Sequence, residues 1–215
     1  MITLFIIFML IFGIPALFFL FYLNVATLSF ETLGLSPEGA FFLFTFSLIG
    51  SLINIPIKRE KIVTRPKPSK FPVFFYYPPV VSEQIIAINL GGALIPLCFS
   101  IYLLVTRAPI FQSLLCTAIV AVICYFIARP IPGKGIVVPA MVPPLSAALV
   151  AMIFARSNPA PAAYIAGTIG TLIGADLLHL EEMKRTAPGI LSIGGAGVYD
   201  GVFLAGLVAA FLAAV

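Results

Sequence analysis

The sequence predicts an all-α, polytopic integral membrane protein, a single transmembrane domain over residues 1–215 with about seven transmembrane helices. Two observations carry that class. Of the 215 residues, 61% are hydrophobic and only 9% charged, against roughly 25% charged in soluble domains. The apolar residues also fall in long runs, of about the 20 residues that cross a hydrocarbon core of ~30 Å. The net charge of +4 does not point to nucleic acid, because the basic residues gather beside apolar spans. Membrane orientation and anionic headgroups account for them. Cys98, Cys116 and Cys124 all lie within apolar runs, without metal-ligand spacing, and read as small core residues.

The first span covers about 2–23, a Phe-, Leu- and Ile-rich run without the basic n-region of a signal peptide. Residues 24–39 form a polar interval containing Glu31, Pro37 and Glu38, and a second span follows at about 40–57. The character then changes to a basic cytoplasmic loop, 58–80, holding Lys58, Arg59, Lys61, Arg65, Lys67 and Lys70 with Pro66 and Pro68. Prolines there interrupt any helix. Aromatic residues from Phe71 to Tyr77 suit the membrane interface, and the same stretch, extended, would pair with a bound peptide strand.

Span three covers about 82–105 and contains Asn89, Gly91, Gly92 and Pro96; span four covers 109–128 and span five 136–155. Pro139, Pro143 and Pro144 predict a broken segment around 139–144, which must face protein or a cavity because lipid satisfies no backbone groups. Span six, 159–179, carries Gly167, Gly170 and Gly174 at a spacing that lets helix backbones approach closely. Span seven, 190–215, opens on a glycine-rich stretch, 190–197, expected to be broken or re-entrant.

With the N-terminus in the cytoplasm, the inside loops hold ten Lys and Arg: the six named above, then Arg129, Lys134, Lys184 and Arg185. The outside loops hold two, Arg107 and Arg156. That asymmetry predicts a plasma-membrane protein with its C-terminus outside.

The candidate site is a pair of carboxylates. An ionisable residue within a span costs at least ~2.5 kcal/mol on insertion scales and is a functional hypothesis by default. Asp176 lies near the cytoplasmic end of span six. Asp200 falls level with it if 190–197 dips inward and the helix starts near Val198, placing the carboxylate in a favourable first turn. Two facing carboxylates in low dielectric tend to share a proton, which serves an aspartic protease or a proton- or sodium-coupled transporter equally. Tyr199 either donates to the pair or packs as an aromatic. His179, at i+3 from Asp176 and so on the same helical face, is a proton relay, a structural polar residue, or a metal ligand with Asp176 and Glu182. One His with carboxylates is a poor zinc set, so no metal is expected, and no cofactor. Gly174, Gly195, Gly197, Asn89 and Pro139 are supporting residues that shape the surroundings.

The combination of Asn89-Leu90-Gly91-Gly92-Ala93-Leu94-Ile95-Pro96, Gly174-Ala175-Asp176 and Ile193-Gly194-Gly195-Ala196-Gly197-Val198-Tyr199-Asp200-Gly201 resembles a prokaryotic membrane-protein family known as domain of unknown function 1614. That likeness covers about the last 130 residues and brings no activity with it. A second likeness is to the intramembrane aspartic proteases: presenilins, signal peptide peptidases and prepilin peptidases. These pair an aspartate in one span with Gly-x-Gly-Asp in another, and presenilins also carry Tyr-Asp and Pro-Ala-Leu. Here Tyr199-Asp200 matches Tyr-Asp, and Gly195-Ala196-Gly197 is a Gly-x-Gly two residues before Asp200. Pro139-Ala140-Met141 is a near match to Pro-Ala-Leu, placed before both aspartates where presenilins place it after them. The likeness implies Asp176 and Asp200 as catalytic residues and a transmembrane peptide as substrate.

Three functions are therefore expected, in this order: an intramembrane aspartic peptidase, a small coupled transporter or channel on the same aspartates, and a non-catalytic membrane scaffold. Membrane lipid is the expected partner of all three, and nucleic acid of none. The protease reading places either 71–77 or 139–144 beside the aspartates.

Overall fold

The computed structural model describes residues 9–64, 80–131, 135–186, 189–195 and 201–214. Helices dominate, but the chain is not all-α: strands from three parts of the sequence form one three-stranded sheet, and two short strands form another.

Helix α1 (Ile14–Thr32) follows a wide π-helical turn, Met9–Gly13. It continues to Thr32, through most of the interval expected to be a polar loop. Asn24 and Thr27 donate their side-chain hydrogen bonds to the carbonyls of Leu20 and Leu23, so they are satisfied within the helix. Gly34 turns the chain at φ +80°. Helix α2 (Pro37–Gly50) starts where Ser36 Oγ accepts the Gly39 N–H at 3.2 Å, with Pro37 in the first turn where its missing N–H costs nothing.

After α2 the chain departs from a span to residue 57 and a loop over 58–80. Strand β1 (Asn54–Thr64) pairs antiparallel with β2 (Val80–Asn89). Ile55 lies opposite Ile88, Lys58 opposite Ile86 and Arg59 opposite Ile85, with an irregularity in register at Ile57, and β-branched residues suit a pleated surface. The aromatic stretch 71–77 lies outside the described residues. The segment expected as span three is strand until Asn89. Only then does helix α3 begin, as a π-helical turn, Leu90–Leu94, continued by Ile95–Thr106.

Helix α4 (Ile110–Ile127) is, among the described residues, the one helix long and apolar enough to cross a membrane. Past it, β3 (Arg129–Ile131) pairs with β4 (Gly135–Val137), which shortens the expected fifth span to helix α5 (Val142–Phe154). Pro143 and Pro144 are buried in the first turn of α5, where proline's lack of an N–H is harmless. The segment 139–144 therefore starts a helix and does not break one, and Pro139 is exposed ahead of it.

Helix α6 begins as Pro159–Ile165 and runs on through two π-helical stretches, Ala166–Gly170 and Leu172–Leu177. A short helix, α7 (Leu180–Thr186), and strand β5 (Gly189–Ile193) follow. β5 lies parallel to β2, giving the sheet order β1-β2-β5. The segment expected to open span seven as a re-entrant loop is thus a sheet strand as far as Ile193. The last helix, α8, is Gly201–Ala214.

α6 is the axis of the molecule. Every residue from 160 to 168 is buried, with α3, α4, α5 and α8 packed around it. The glycine spacing does what it predicted. A Cβ on Gly170 would stand 2.9 Å from Val120, and one on Gly174 2.2 Å from the Ala121 carbonyl oxygen, both on α4. A Cβ on Gly167 would meet the Ala205 carbonyl of α8 at 3.0 Å, and one on Gly206 of α8 would strike Thr168 Oγ1. Backbones at such separations gain dispersion contacts along their whole length.

The outer helices show the opposite pattern. Phe41, Phe42 and Phe46 on α2, Leu149 and Ile153 on α5, and Phe111 and Phe126 near the two ends of α4 all point outward, the last two 78% exposed. Together with the one helix long and apolar enough to span a bilayer, this exposure gives weak support for membrane association.

Candidate functional site

Of the polar groups that sequence analysis singled out, Asp176, His179 and Asn89 lie at one end of the bundle, where the sheet meets the helices. Asp176 lies in the last π-helical stretch of α6 and is half-buried. Its Oδ2 accepts the Gly194 N–H at 2.6 Å. Gly194 terminates β5 at φ +72°, a region costly to residues with a Cβ. A Cβ there would also stand 2.5 Å from that of Ala93. Glycine is required twice over, by conformation and by space.

Asn89, 2% exposed, ties the neighbouring elements together. Its Oδ1 accepts the Gly92 N–H at 2.8 Å and caps α3. Its Nδ2 donates to the Ser51 carbonyl at 2.7 Å and to Asn54 Oδ1 at 3.1 Å. Asn54 Oδ1 also accepts from Ser192 Oγ of β5, and Ser47 Oγ of α2 donates to the Gly91 carbonyl at 2.5 Å. Gly91 lies so close to α2 that a Cβ would collide with the Ser47 carbonyl, and a Cβ on Gly195 would stand 2.9 Å from that of Asn89. The apolar floor of the node is the cluster of Ile86, Ala93, Leu172, Ile193 and Val202.

His179, buried at 6% exposure, follows α6. Its Nδ1 lies 3.1 Å from both the Gly174 and Ala175 carbonyls. Carbonyl oxygens only accept, so the hydrogen-bond network assigns the proton to Nδ1. The ring leans on Tyr125 with centroids 4.9 Å apart. His179 thus holds carbonyls that the end of α6 leaves over. Glu182 is exposed, and among the described residues no group of three or more His, Cys, Asp or Glu is placed to hold a metal.

The structure brings Asp176, Asn89 and Gly195 to one node, with Gly174 and His179 at the end of α6 that carries Asp176. Pro139 is exposed in the turn before α5. Asp200, Tyr199 and Gly197 lie outside the described residues, as does the 71–77 stretch. Sequence reasoning missed Ser47, Ser51, Asn54, Ser192 and the specific use of Gly194. The signal available was Ser47 and Ser51 at i and i+4 on one helical face, just ahead of Asn54.

The three motifs that carried the family resemblance are therefore three walls of one node: Asn89 to Pro96 at the start of α3, Gly174 to Asp176 at the end of α6, and Ile193 to Gly195 at the end of β5. The family model described as protein of unknown function (DUF1614) matches residues 48–212, and the chain belongs to that family. No curated protein and no solved structure matches it.

Proposed function

We propose that this chain is an integral membrane protein, with α4 crossing the bilayer and the shorter apolar helices packed within it, whose active groups are the carboxylates of Asp176 and Asp200 at the sheet-bearing, basic end. The carrying observation is the 2.6 Å hydrogen bond from the Gly194 N–H to Asp176 Oδ2. It ties the end of the most buried helix to the short segment that leads into Asp200. On the far side of that segment, Val202 shares an apolar cluster with Leu172 and Ala93. Gly194 and Val202, which bracket Asp200 in the sequence, both contact residues of that node, and this supports pairing Asp200 with Asp176.

The chemistry that fits such a pair best is hydrolysis of a peptide bond in a transmembrane substrate. With Oδ2 engaged by Gly194, Asp176 Oδ1 is the oxygen to take a proton from water as the water oxygen bonds to the scissile carbonyl carbon. Asp200, protonated, hydrogen-bonds the carbonyl oxygen. Collapse of the tetrahedral adduct breaks the C–N bond, the amine leaves with a proton, and the pair is left sharing one. A second reading, a proton- or sodium-coupled transporter, draws support from the two π-helical stretches of α6, since irregular helices near carboxylates also serve ion sites.

The test is cleavage of a reporter peptide bearing one transmembrane span, co-reconstituted with the full chain. Asp176→Asn and Asp200→Asn are each expected to lower the rate by about 10²–10⁴-fold, the usual worth of an acid–base group. Cleavage that survives either substitution defeats the peptidase reading. Proton-driven solute uptake abolished by the same substitutions, with no cleavage by the parent chain, would establish the transporter instead.

A further inference from the structure

We propose that the outward face of β1 is a binding site for the headgroups of anionic phospholipids in the leaflet at the basic end, with Arg59 as its principal contact. The proposal rests on the membrane reading above and is independent of what the aspartates do.

The basic residues of the described chain are unequally placed. Lys58, Arg59 and Lys61 lie on β1, Arg129 on β3 and Lys184 on α7. α7 adjoins both sheets, reaching β2 through Gln84 Nε2, which donates to the Lys184 carbonyl at 3.1 Å, and contacting β3 directly. Arg107 is at the other end, where its Nη2 donates to the Gly34 carbonyl at 3.1 Å.

Within the basic end the charges are not equivalent. Lys58 pairs with Glu60 and Lys184 with Glu181, each at 2.6 Å. Among the described residues, no ion pair joins Arg59 or Lys61 to an acidic group. Residues two apart in a strand share a face, so Arg59 and Lys61 project together, opposite the face that presents Glu60 and Gln84 toward α7. Both are exposed. On that face Lys61 lies opposite the exposed Glu83 and Arg59 opposite Ile85, so its two cations face one carboxylate, a net positive charge carried at Arg59.

What covers it follows from the residues just before. Leu52, Ile53, Ile55 and Ile57 are all exposed, Leu52 at 77%. They continue the lipid-facing surface of α2 as far as Ile57, and the next residue is Lys58. Ile57 therefore marks the hydrocarbon edge. At ~3.3 Å per residue Arg59 stands about 7 Å beyond that edge, the depth of a headgroup layer of roughly 5–7 Å per leaflet. Lys61, about 13 Å out, reaches past it. Arg presents five donors in a fork matched to phosphate oxygens, a geometry Lys lacks.

The experiment places the full chain in nanodiscs of mixed phosphatidylcholine and phosphatidylglycerol and measures which lipid is retained at the protein, by native mass spectrometry. Phosphatidylglycerol enrichment is expected for the parent chain and a drop of about fivefold for Arg59→Gln, the value of one basic group at an anionic surface. Lys61→Gln should lower it less, and Arg107→Gln should leave it unchanged. Equal retention of both lipids, or the same loss from Arg107→Gln, overturns the site. So does displacement of the lipid by millimolar glycerol phosphate, which would make it a soluble-phosphate site. A chain that fails to enter nanodiscs overturns the membrane reading itself, and with it this inference.

Discussion

The two ends of the helical bundle solve the same problem, reversing an apolar chain, with very different means. At the Arg107 end the turns are short and lightly bonded. Gly34 reverses the chain between α1 and α2, the Arg107 guanidinium reaches the Gly34 carbonyl, and Asn158 Nδ2 donates to the Arg107 carbonyl at 3.0 Å on the exposed surface. At the other end the chain builds two sheets, a short helix and a hydrogen-bond network that joins buried Ser47 and Asn89 to half-buried Ser51 and Ser192 and to exposed Asn54. Buried polar groups are expensive unless fully satisfied. An end that collects them, beside a half-buried carboxylate, is where this molecule departs from simple apolar helix packing.

The largest expected difference between the ends is in the two asparagines. Asn89→Ala removes donors to Ser51 and Asn54 and leaves the Gly92 N–H without its cap, all in a buried site. About 2–4 kcal/mol of stability should be lost, from unsatisfied groups worth ~1–3 kcal/mol each. Asn158→Ala removes one exposed bond and should cost at most about 1 kcal/mol. Equilibrium unfolding from mixed micelles measures both, and equal losses would remove the distinction drawn between the ends.

A smaller contrast separates two glycines that share a left-handed conformation, Gly34 at φ +80° and Gly194 at φ +72°. An alanine at either position pays the ~1–2 kcal/mol conformational cost. At Gly34 the atoms in the way are the tip of the Arg107 side chain, which can move aside. At Gly194 they are the Cβ and backbone of Ala93, held by the start of α3. Gly194→Ala should therefore cost ~1–3 kcal/mol more than Gly34→Ala, the penalty of overpacking a fixed contact. Comparable melting shifts for the two would show that α3 yields.

Some of this was legible in the sequence and some was not. The helical character followed from composition, and the close packing of Gly167, Gly170 and Gly174 followed from their spacing, since both signals are local. Asn89 and the aspartate of Gly174-Ala175-Asp176 stood out as polar groups in apolar company. The sheet did not, because β1 reads as a charged loop and β2 as the start of a span. Their register is fixed by partners in each other and in β5 rather than by periodicity within either segment. The prolines at 143 and 144 misled because proline both breaks helices and begins them, and only the start of α5 tells which. Ser192 and Asn54 were invisible for a similar reason, each being ordinary until the other is placed 138 residues away.

A small expected effect on stability at Asp176 is the most informative about function. Asp176→Asn keeps an oxygen able to accept the Gly194 N–H, so the tie between α6 and β5 survives with the charge removed. The change in stability should be under about 1.5 kcal/mol, the net worth of an ordinary hydrogen bond. Asp176→Ala deletes the acceptor and strands that N–H, at a cost of about 1–3 kcal/mol. If the carboxylate only braces the fold, activity in the two variants should follow stability, with Asn close to the parent and Ala impaired. If the carboxylate moves a proton, Asn and Ala are equally inactive while their stabilities differ. Unfolding midpoints and reporter cleavage measured on the same preparations therefore separate a brace from an acid–base group, because only the second role depends on a proton that an amide cannot exchange.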